Sequence, residues 1–490
     1  MTPQPFDPVQ TSNEVESAYR RYLQSTYWVN DALLRSEFES ALVNEFALTK
    51  GPLLQAMIPY ETGASMGELV ADGTLNQGFL QIPEQTFPSS RPLYRHQELA
   101  IRKSLDHRNL IVATGTGSGK TECFLLPVIN HLLNERDAGT LSQPGVRAMF
   151  LYPMNALAND QMKRIRELLA PFPEITFGRF IGDTKETFKK ALPLHRTRTG
   201  SEPLPNELIS REEMRENPPH ILLTNYAMLE YLLLRPEETS LFDGPTGKHW
   251  RFIALDEVHV YDGAQGAEIA MLLRRVRDRV NLSQRDQIRY IGTSATLGRG
   301  EADYPNLASY AQTLFDERVE PSDIVGAFRQ RLQHGTAEWE MSADGAIALS
   351  ELISHLPDVS QVRDHLASIG ATSLSESPDW RIVLGSALER ERSIILLQGH
   401  LEKGSPTLSG LAASVFSGKG GIDLATTFIF LGIQALSPRT GAPLVPARYH
   451  FLIRSLEGAF VCQSPKHPVG VARLSLTRHE RCPSCKKAGN

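Results

Sequence analysis

Leu110-Ile111-Val112-Ala113-Thr114-Gly115-Thr116-Gly117-Ser118-Gly119-Lys120-Thr121 joins an apolar run to a glycine-rich turn that ends in a lysine. The run Leu110–Thr114 shows no polar alternation, so it reads as a strand buried on both faces. The apolar stretch after Thr121 reads as a helix. Between strand and helix, the glycines let successive backbone N–H groups turn toward an anion, and the helix N-terminus adds partial positive charge. In such a loop Thr114, Gly115, Thr116, Gly117, Ser118 and Gly119 wrap the phosphates of a nucleotide. Lys120 neutralises the β/γ oxygens, and the Thr121 hydroxyl offers a Mg²⁺ position. The strict Gly-x4-Gly-Lys spacing would place glycine at position 114, where this chain has Thr. A flexible Gly/Ser/Thr turn before a helix is the bland alternative; the strand on one side and the helix on the other argue against it.

Four more apolar runs share this texture: Ala148–Pro153, Ile221–Thr224, Phe252–Asp256 and Arg289–Thr293. Amphipathic stretches separate them, which predicts a doubly wound α/β domain with a parallel sheet and a phosphate loop. Upstream, Tyr19, Tyr22, Leu23, Leu33, Phe38 and Leu42 recur at helical spacing. Residues 184–219 are rich in Pro, Arg and Glu and read as a surface insertion. The pattern from Asn306 to Leu436 is mostly helical. The expected division is therefore a helical region at 1–84, the nucleotide-binding domain at 85–300, a mainly helical region at 301–438 and a basic segment at 439–490.

The run Phe252–Asp256 leads into Asp256-Glu257-Val258-His259. Carboxylates at the C-terminal end of a parallel strand lie at the ligand edge of an open α/β sheet. There Asp256 would hold Mg²⁺ through water, Glu257 would orient or deprotonate an attacking water, and His259 would couple the site to its neighbours. An Asp-Glu pair ending a strand is by itself more often a solvated turn or a helix cap; the phosphate loop upstream reverses that preference. Ser294-Ala295-Thr296 follows the last run, and alone it is an ordinary turn.

The chain has 490 residues, 41% hydrophobic and 22% charged, with a formal net charge of −5. That is ordinary for a globular protein and shows no overall basic character, although a local basic groove suffices for nucleic acid. No run of about 18 apolar residues predicts a membrane span, and no signal pattern opens the chain. Four cysteines make no disulfide scaffold, so a reducing, cytoplasmic location is the expectation.

Taken in order, these pieces resemble the first RecA-like lobe of DEAD/DEAH-box, superfamily 2 helicases. That family tolerates small residues other than glycine at position 114. Leu93-Tyr94-Arg95-His96-Gln97 is similar to the element before motif I, which implies that Gln97 reads the adenine edge. Thr114–Thr121 resembles motif I, and Tyr152–Gln161 (YPMNALANDQ) resembles motif Ia. Gly182-Asp183-Thr184 and Thr224-Asn225 resemble the short motifs that touch nucleic-acid backbone, and DEVH and SAT resemble motifs II and III. Through these motifs Asn155, Arg179, Thr224 and Asn225 are implied phosphate contacts, and Ser294, Ala295 and Thr296 couple them to the nucleotide. For Thr224 and Asn225 a plain strand-end turn is the alternative. Arg274 and Arg275 read as a solvated or packing face, and Tyr226 and Tyr231 as core or interface aromatics. The wording of YPMNALANDQ and of Pro218–Pro236 is close to large bacterial helicases related to the mitomycin-repair type, with relatives in DNA repair and phage-defence clusters. The resemblance implies an ATP hydrolase that moves on single-stranded or duplex DNA, with RNA not excluded. The alternatives are a nucleotide-gated DNA-binding module and a duplex translocase subunit that hydrolyses ATP only with a partner.

Cys123 sits on an apolar helix face and reads as core. Cys462, Cys482 and Cys485 cluster in a tail with nine Lys/Arg against two Glu from Arg439 onward. Cys482-Pro-Ser-Cys485 has the spacing of a Zn²⁺ knuckle, with Cys462 as third ligand and His467 or His479 as candidate fourth. A redox pair is the competing reading, but no thioredoxin-like unit surrounds it. A helicase motor also needs a second RecA-like lobe bearing arginines for the γ-phosphate. No such arginine motif follows Gly300, and Gly421-Ile422-Asp423 is only a chance likeness to motif V. The second lobe is therefore expected in a continuing chain or in a partner protein.

Overall fold

The computed structural model describes residues 8–44, 49–244, 246–280, 288–295, 300–330, 335–416, 421–456, 458–462, 464, 473–476, 478–482, 485 and 486. The chain divides into two compact units. One is the contiguous stretch Pro59–Gln330, and the other combines Met1–Ile58 with Arg331–Asn490.

The contiguous unit is a lobe built on eight parallel strands: β1 (Leu110–Ala113), β2 (Ala148–Tyr152), β3 (Phe177–Arg179), β4 (Glu207–Leu208), β5 (Ile221–Asn225), β6 (Phe252–Leu255), β7 (Arg289–Ser294) and β8 (Ile324–Gly326). Their order across the sheet is β8-β1-β7-β6-β2-β5-β3-β4. Every neighbouring pair is parallel. The register explains why the apolar runs are continuous. Leu110 and Val112 enter one core and Ile111 the other; Ala148, Phe150 and Tyr152 face one side, and Met149 and Leu151 the opposite side. With helices on both faces, alternate residues have no solvent to point into. The helices that matter for the site are α1 (Arg95–Leu105), α2 (Lys120–Asp137), α3 (Asn155–Leu169), α4 (Phe188–Thr199), α5 (Tyr226–Leu234), α6 (Gly263–Val280) and α7 (Tyr304–Phe315).

The lobe is wider than the expected 85–300. Met66, Leu69, Leu75 and Phe79 pack into the same core as the phosphate-loop strand, and Val325 of β8 joins them. Loose Gly-rich texture around 63–81 hid this packing. The stretch 184–219 is also more than a surface insertion, because it supplies the edge strand β4 and buries Asn206, Glu207, Ser210 and Met214.

The second unit has a helical core. Leu384, Leu397, Phe428 and Ile429 are buried among helices spanning Ala343–Ser354, Val359–Ser368, Trp380–Leu388, Arg392–Lys403, Leu408–Val415 and Gly421–Gln434. The helix Trp380–Leu388 needs close approach to the segment after the last helix here, since a Cβ on Gly385 would lie 1.8 Å from the Leu436 carbonyl oxygen. Its small sheet pairs Thr49–Ala56 antiparallel with Ala447–Ile453, joining the two ends of the chain. The expected N-terminal helices are present at Pro8–Thr26 and Ala32–Asn44. Gly421-Ile422-Asp423 is the first turn of a helix. Among the described residues, no helix is long and apolar enough to cross a membrane.

Candidate nucleotide site

The C-terminal ends of β1, β6 and β7 meet at one edge of the sheet. The phosphate loop leaves β1 there, and Gly117 and Gly119 both adopt left-handed backbone, with φ of 73° and 71°. Gly119 has a second constraint: a Cβ would sit 2.2 Å from the Gln97 amide nitrogen. Thr114 at the departing position is buried, and its hydroxyl lies 2.7 Å from Ser118 Oγ, so it closes the loop on itself. The Thr114 N–H donates to the Ser294 carbonyl at 3.0 Å, tying loop to strand β7. Gly115 and Thr116 form the outer arc, and Thr121 is half-buried in the first turn of α2.

Lys120, Glu257, His259, Ser294 and Ala295 form one connected network. Lys120 Nζ lies 3.0 Å from Glu257 Oε1. Glu257 Oε2 accepts the Ala295 N–H at 3.2 Å and lies 3.2 Å from His259 Nδ1. His259 Nδ1 also lies 3.1 Å from Ser294 Oγ. Glu257 itself has a left-handed φ of 51°, a conformation a non-glycine residue keeps only where its surroundings hold it. Asp256 accepts the Thr293 hydroxyl, and burial pushes its carboxyl above the usual range. Thr296 lies outside the described residues.

Gln97 ties α1 to the loop. Its Oε1 accepts the Tyr94 N–H at 2.8 Å, and its amide donates to the Gly119 carbonyl at 2.9 Å. Sequence reading left its neighbour His96 without a role. His96 is fully buried, and its Nε2 meets the Ser118 carbonyl at 2.8 Å. A carbonyl only accepts, so Nε2 carries the proton. Tyr60 and Arg329, also unforeseen, close over the loop: the Tyr60 hydroxyl and an Arg329 nitrogen lie 3.3 and 3.5 Å from the Cβ position of Gly115. No motif marks these two. An isolated β-bridge between Tyr60 and Arg329 brings them together, with the Arg329 guanidinium over the Tyr60 ring and donating to its hydroxyl at 3.1 Å.

The expected nucleic-acid residues divide. Asn155 opens α3, and its Oδ1 accepts from the Asn225 amide at 2.6 Å, so these two form one polar spot at the same sheet edge. Asn225 also caps α5 through the Met228 N–H. Thr224 is fully buried, and its hydroxyl donates to the Phe180 carbonyl at 2.7 Å, which spends the side chain inside the fold. Thr184 is spent likewise, on the Arg179 carbonyl and the Ile181 N–H, and Asp183 pairs with Arg198 at 3.0 Å. Arg179 ends β3 half-buried. Tyr226 packs edge-on against Tyr261, whereas Tyr231 is exposed beneath Arg235. Arg274 pairs with Asp316 of the turn after α7, a packing role, and Arg275 is exposed.

In the second unit the thiols of Cys462, Cys482 and Cys485 all lie within 4.8 Å of one another, with the first and last 3.7 Å apart. Tetrahedral zinc with Zn–S near 2.3 Å puts sulfurs about 3.8 Å apart, so this trio fits such an ion. His479 is exposed and outside the group, and His467 lies outside the described residues. Cys123 is fully buried core, and burial pushes its thiol up.

A loop gathered on a lysine, a strand-end carboxylate pair and a serine–histidine link define a P-loop nucleotide-binding lobe. Residues 94–303, within the lobe, match the DEAD/DEAH box helicase family. The chain is similar to the Druantia protein DruE of Escherichia coli, with 29% identity over 93% of this chain and 30% of the relative. It is also similar to the ATP-dependent helicase hrq1 of Schizosaccharomyces pombe, with 26% identity over 55% of this chain and 21% of the relative. Among solved structures, the DUF1998 helicase MrfA bound to DNA covers 72% of this chain and 43% of its own, at 20% identity and a TM-score of 0.41. The chain thus spans less than a third of the length of either curated relative.

Proposed function

We propose that this chain is the ATP-binding motor lobe, with its flanking unit, of a helicase or translocase that couples ATP hydrolysis to movement on nucleic acid. The observation that carries it is the single network running from Lys120 through Glu257 to Ala295, His259 and Ser294. In this reading the loop Thr114–Thr121 holds ATP, with Lys120 on the β/γ-phosphates. Thr121 and Asp256 hold Mg²⁺, which supplies charge neutralisation at the γ-phosphate. Glu257 orients the water, and it must release Lys120 for that task. His259 and Ser294 report the state of the nucleotide to β7. Asn155, Asn225 and Arg179 contact strand phosphates, with backbone rather than hydroxyl contact at Thr224. DNA as the track, work in repair or phage defence, and arginines supplied by a second RecA-like lobe follow from the family likeness of YPMNALANDQ and its neighbours.

Lys120→Ala tests the site. Removing the fixed cation should cost about 1.5–3 kcal/mol, a roughly ten- to hundred-fold fall in affinity for a fluorescent ATP analogue. An unchanged affinity in a folded variant sinks the assignment. For the tail we propose Zn²⁺ on Cys462, Cys482 and Cys485, with a fourth ligand from elsewhere. Elemental analysis should find about one equivalent of zinc in the wild type and a deficit in Cys482→Ser; a metal-free wild type with freely reactive thiols goes against it.

A further inference from the structure

Strand β2 ends in Tyr152, and strand β6 runs into Asp256 beside it. The register pairs Leu151 with Leu255, and the Asp256 N–H donates to the Leu151 carbonyl at 3.0 Å. One step on, Tyr152 and Asp256 are neighbours, and in-register residues of adjacent parallel strands share a face of the sheet. On the other side of Asp256 stands Thr293 of β7, one step past the Gly292–Leu255 pair, and its hydroxyl donates to the Asp256 carboxyl. Asp256 thus has a hydroxyl-bearing side chain on each flank, and the Thr293 hydroxyl is in direct contact.

Tyr152 is 1% exposed, and its hydroxyl is buried without a hydrogen-bond partner among the described residues. The ring packs in the core that holds Phe150, Ala158 and Phe252, where phenylalanine would fill the same space. A hydroxyl left unpaired out of water is costly, so the oxygen calls for a reason. Burial first, and then the Asp256 charge, push the phenol well above its usual range, so it keeps its proton and can donate. The carboxyl is close enough for its charge to be felt at the phenol, yet no direct hydrogen bond joins them. One internal water spans such a gap, accepting from the phenol and donating to the carboxylate. Tyr290 shows that a lone hydroxyl says little by itself. It too is buried without a partner, but it lies near the start of β7, stacked on Phe315 in the opposite core. Tyr261 carries another such hydroxyl, also within reach of the Asp256 charge, but from that opposite core and from no strand beside Asp256.

We propose that Tyr152 is a positioning residue for the Mg²⁺-holding carboxylate: its hydroxyl, through one internal water, orients Asp256 from the flank opposite Thr293. The inference rests on the reading above in which Asp256 holds Mg²⁺. A carboxylate held from one flank can turn about its Cβ–Cγ bond, whereas one held from both meets the hydrated ion already oriented. Groups that orient a metal's ligands in this way change metal affinity by about 10–100-fold.

The test compares the full wild-type chain with Tyr152→Phe, Tyr290→Phe and Asp256→Asn. Thermal melts matched to wild type show that each variant folds. The affinity of each for a fluorescent non-hydrolysable ATP analogue is measured in EDTA and in saturating Mg²⁺, and the ratio is the gain due to the ion. Tyr152→Phe should keep the EDTA affinity within about two-fold of wild type and cut the gain by about ten-fold. Tyr290→Phe, which removes the same atom from the same sheet away from the site, should change neither quantity. Asp256→Asn should lose most of the gain. If Asp256→Asn loses the gain and Tyr152→Phe keeps it, the inference is overturned and Asp256 stands as the metal's holder. A Tyr152→Phe protein that loses affinity equally with and without Mg²⁺ also overturns it, because a merely structural role acts on both. A wild type with no gain, or one that Asp256→Asn retains, removes Asp256 from the metal site and the role of Tyr152 with it.

Discussion

The lobe at Pro59–Gln330 is one contiguous stretch of chain, while the second unit is assembled from both ends, with Thr49 opposite Ile453 in its sheet. Closing that second sheet fixes two segments separated by the whole lobe. The entropic penalty rises only slowly with loop length, so the insertion is tolerated. The two units also put their chemistry in different places. The lobe concentrates polar side chains at strand ends, where Lys120, Asp256, Glu257 and Ser294 are held at least partly out of water. The second unit buries polar groups as structural links: Glu391, fully buried, accepts the Ile394 and Met341 N–H groups and caps a helix. A buried carboxylate bonded to backbone donors locks a shape, whereas one facing a lysine and a histidine can exchange partners. On the proposed function, this contrast places turnover in the lobe.

Glu257→Gln is the strongest way to break the contrast. In the protein under conditions where it hydrolyses ATP, loss of the base should slow turnover by about 10²–10⁴-fold. Nucleotide binding should persist, since Lys120 then loses its competing partner. Phosphate-release kinetics together with equilibrium binding report the two quantities separately. A variant that turns over at the wild-type rate would remove Glu257 from the mechanism.

The same contrast governs what could be read from sequence. Five strands of the lobe announced themselves because a strand buried on both faces admits only apolar residues, as at Leu110–Ala113 and Phe252–Leu255. Three strands did not. Phe177–Arg179, Glu207–Leu208 and Ile324–Gly326 are two or three residues long and carry Gly, Arg or Glu, so no periodicity survives. At the site, residues named by motif fell together. Thr224 shows the limit, because a motif fixes where a residue sits and not whether its hydroxyl faces solvent. Tyr60 and Arg329 were illegible for another reason: they meet over Gly115 only through pairing of segments far apart in sequence. The union of the chain ends into one unit was invisible likewise, since amphipathic helices reveal that they are buried but not against what.

Phe428→Ala probes the second unit. Phe428 is 1% exposed in the helical core and lies 5.1 Å from Phe416. Removing its ring leaves a cavity and should cost about 3–5 kcal/mol of that unit's stability. The affinity of the lobe for nucleotide should stay within two-fold or so, as the lobe's core shares none of these residues. Denaturant unfolding followed with an ATP analogue bound would show this, and a parallel loss of nucleotide affinity would mean that the two cores are not energetically separate.

The smallest of the three effects sharpens the picture of the lobe at the edge opposite the nucleotide. His220 precedes β5 and is 5% exposed. Its Nδ1 accepts the Thr176 N–H at 3.0 Å, which requires a neutral ring. Burial first, and then the Arg147 charge, depress its pKa from 6.5 to about 4, with Glu135 opposing and His249 adding to the fall. The unfolded chain therefore binds this proton more readily than the lobe does. The sign follows: the contribution is complete above about pH 6.5 and is lost as pH falls toward 4, by up to roughly 3 kcal/mol. Urea midpoints at neutral pH and near pH 4.5 should show this loss. His220→Gln, whose amide oxygen can take the same N–H but cannot charge, should flatten part of the slope. An acid slope unchanged by that substitution would assign the proton uptake to other groups and leave Thr176 as an ordinary loop contact.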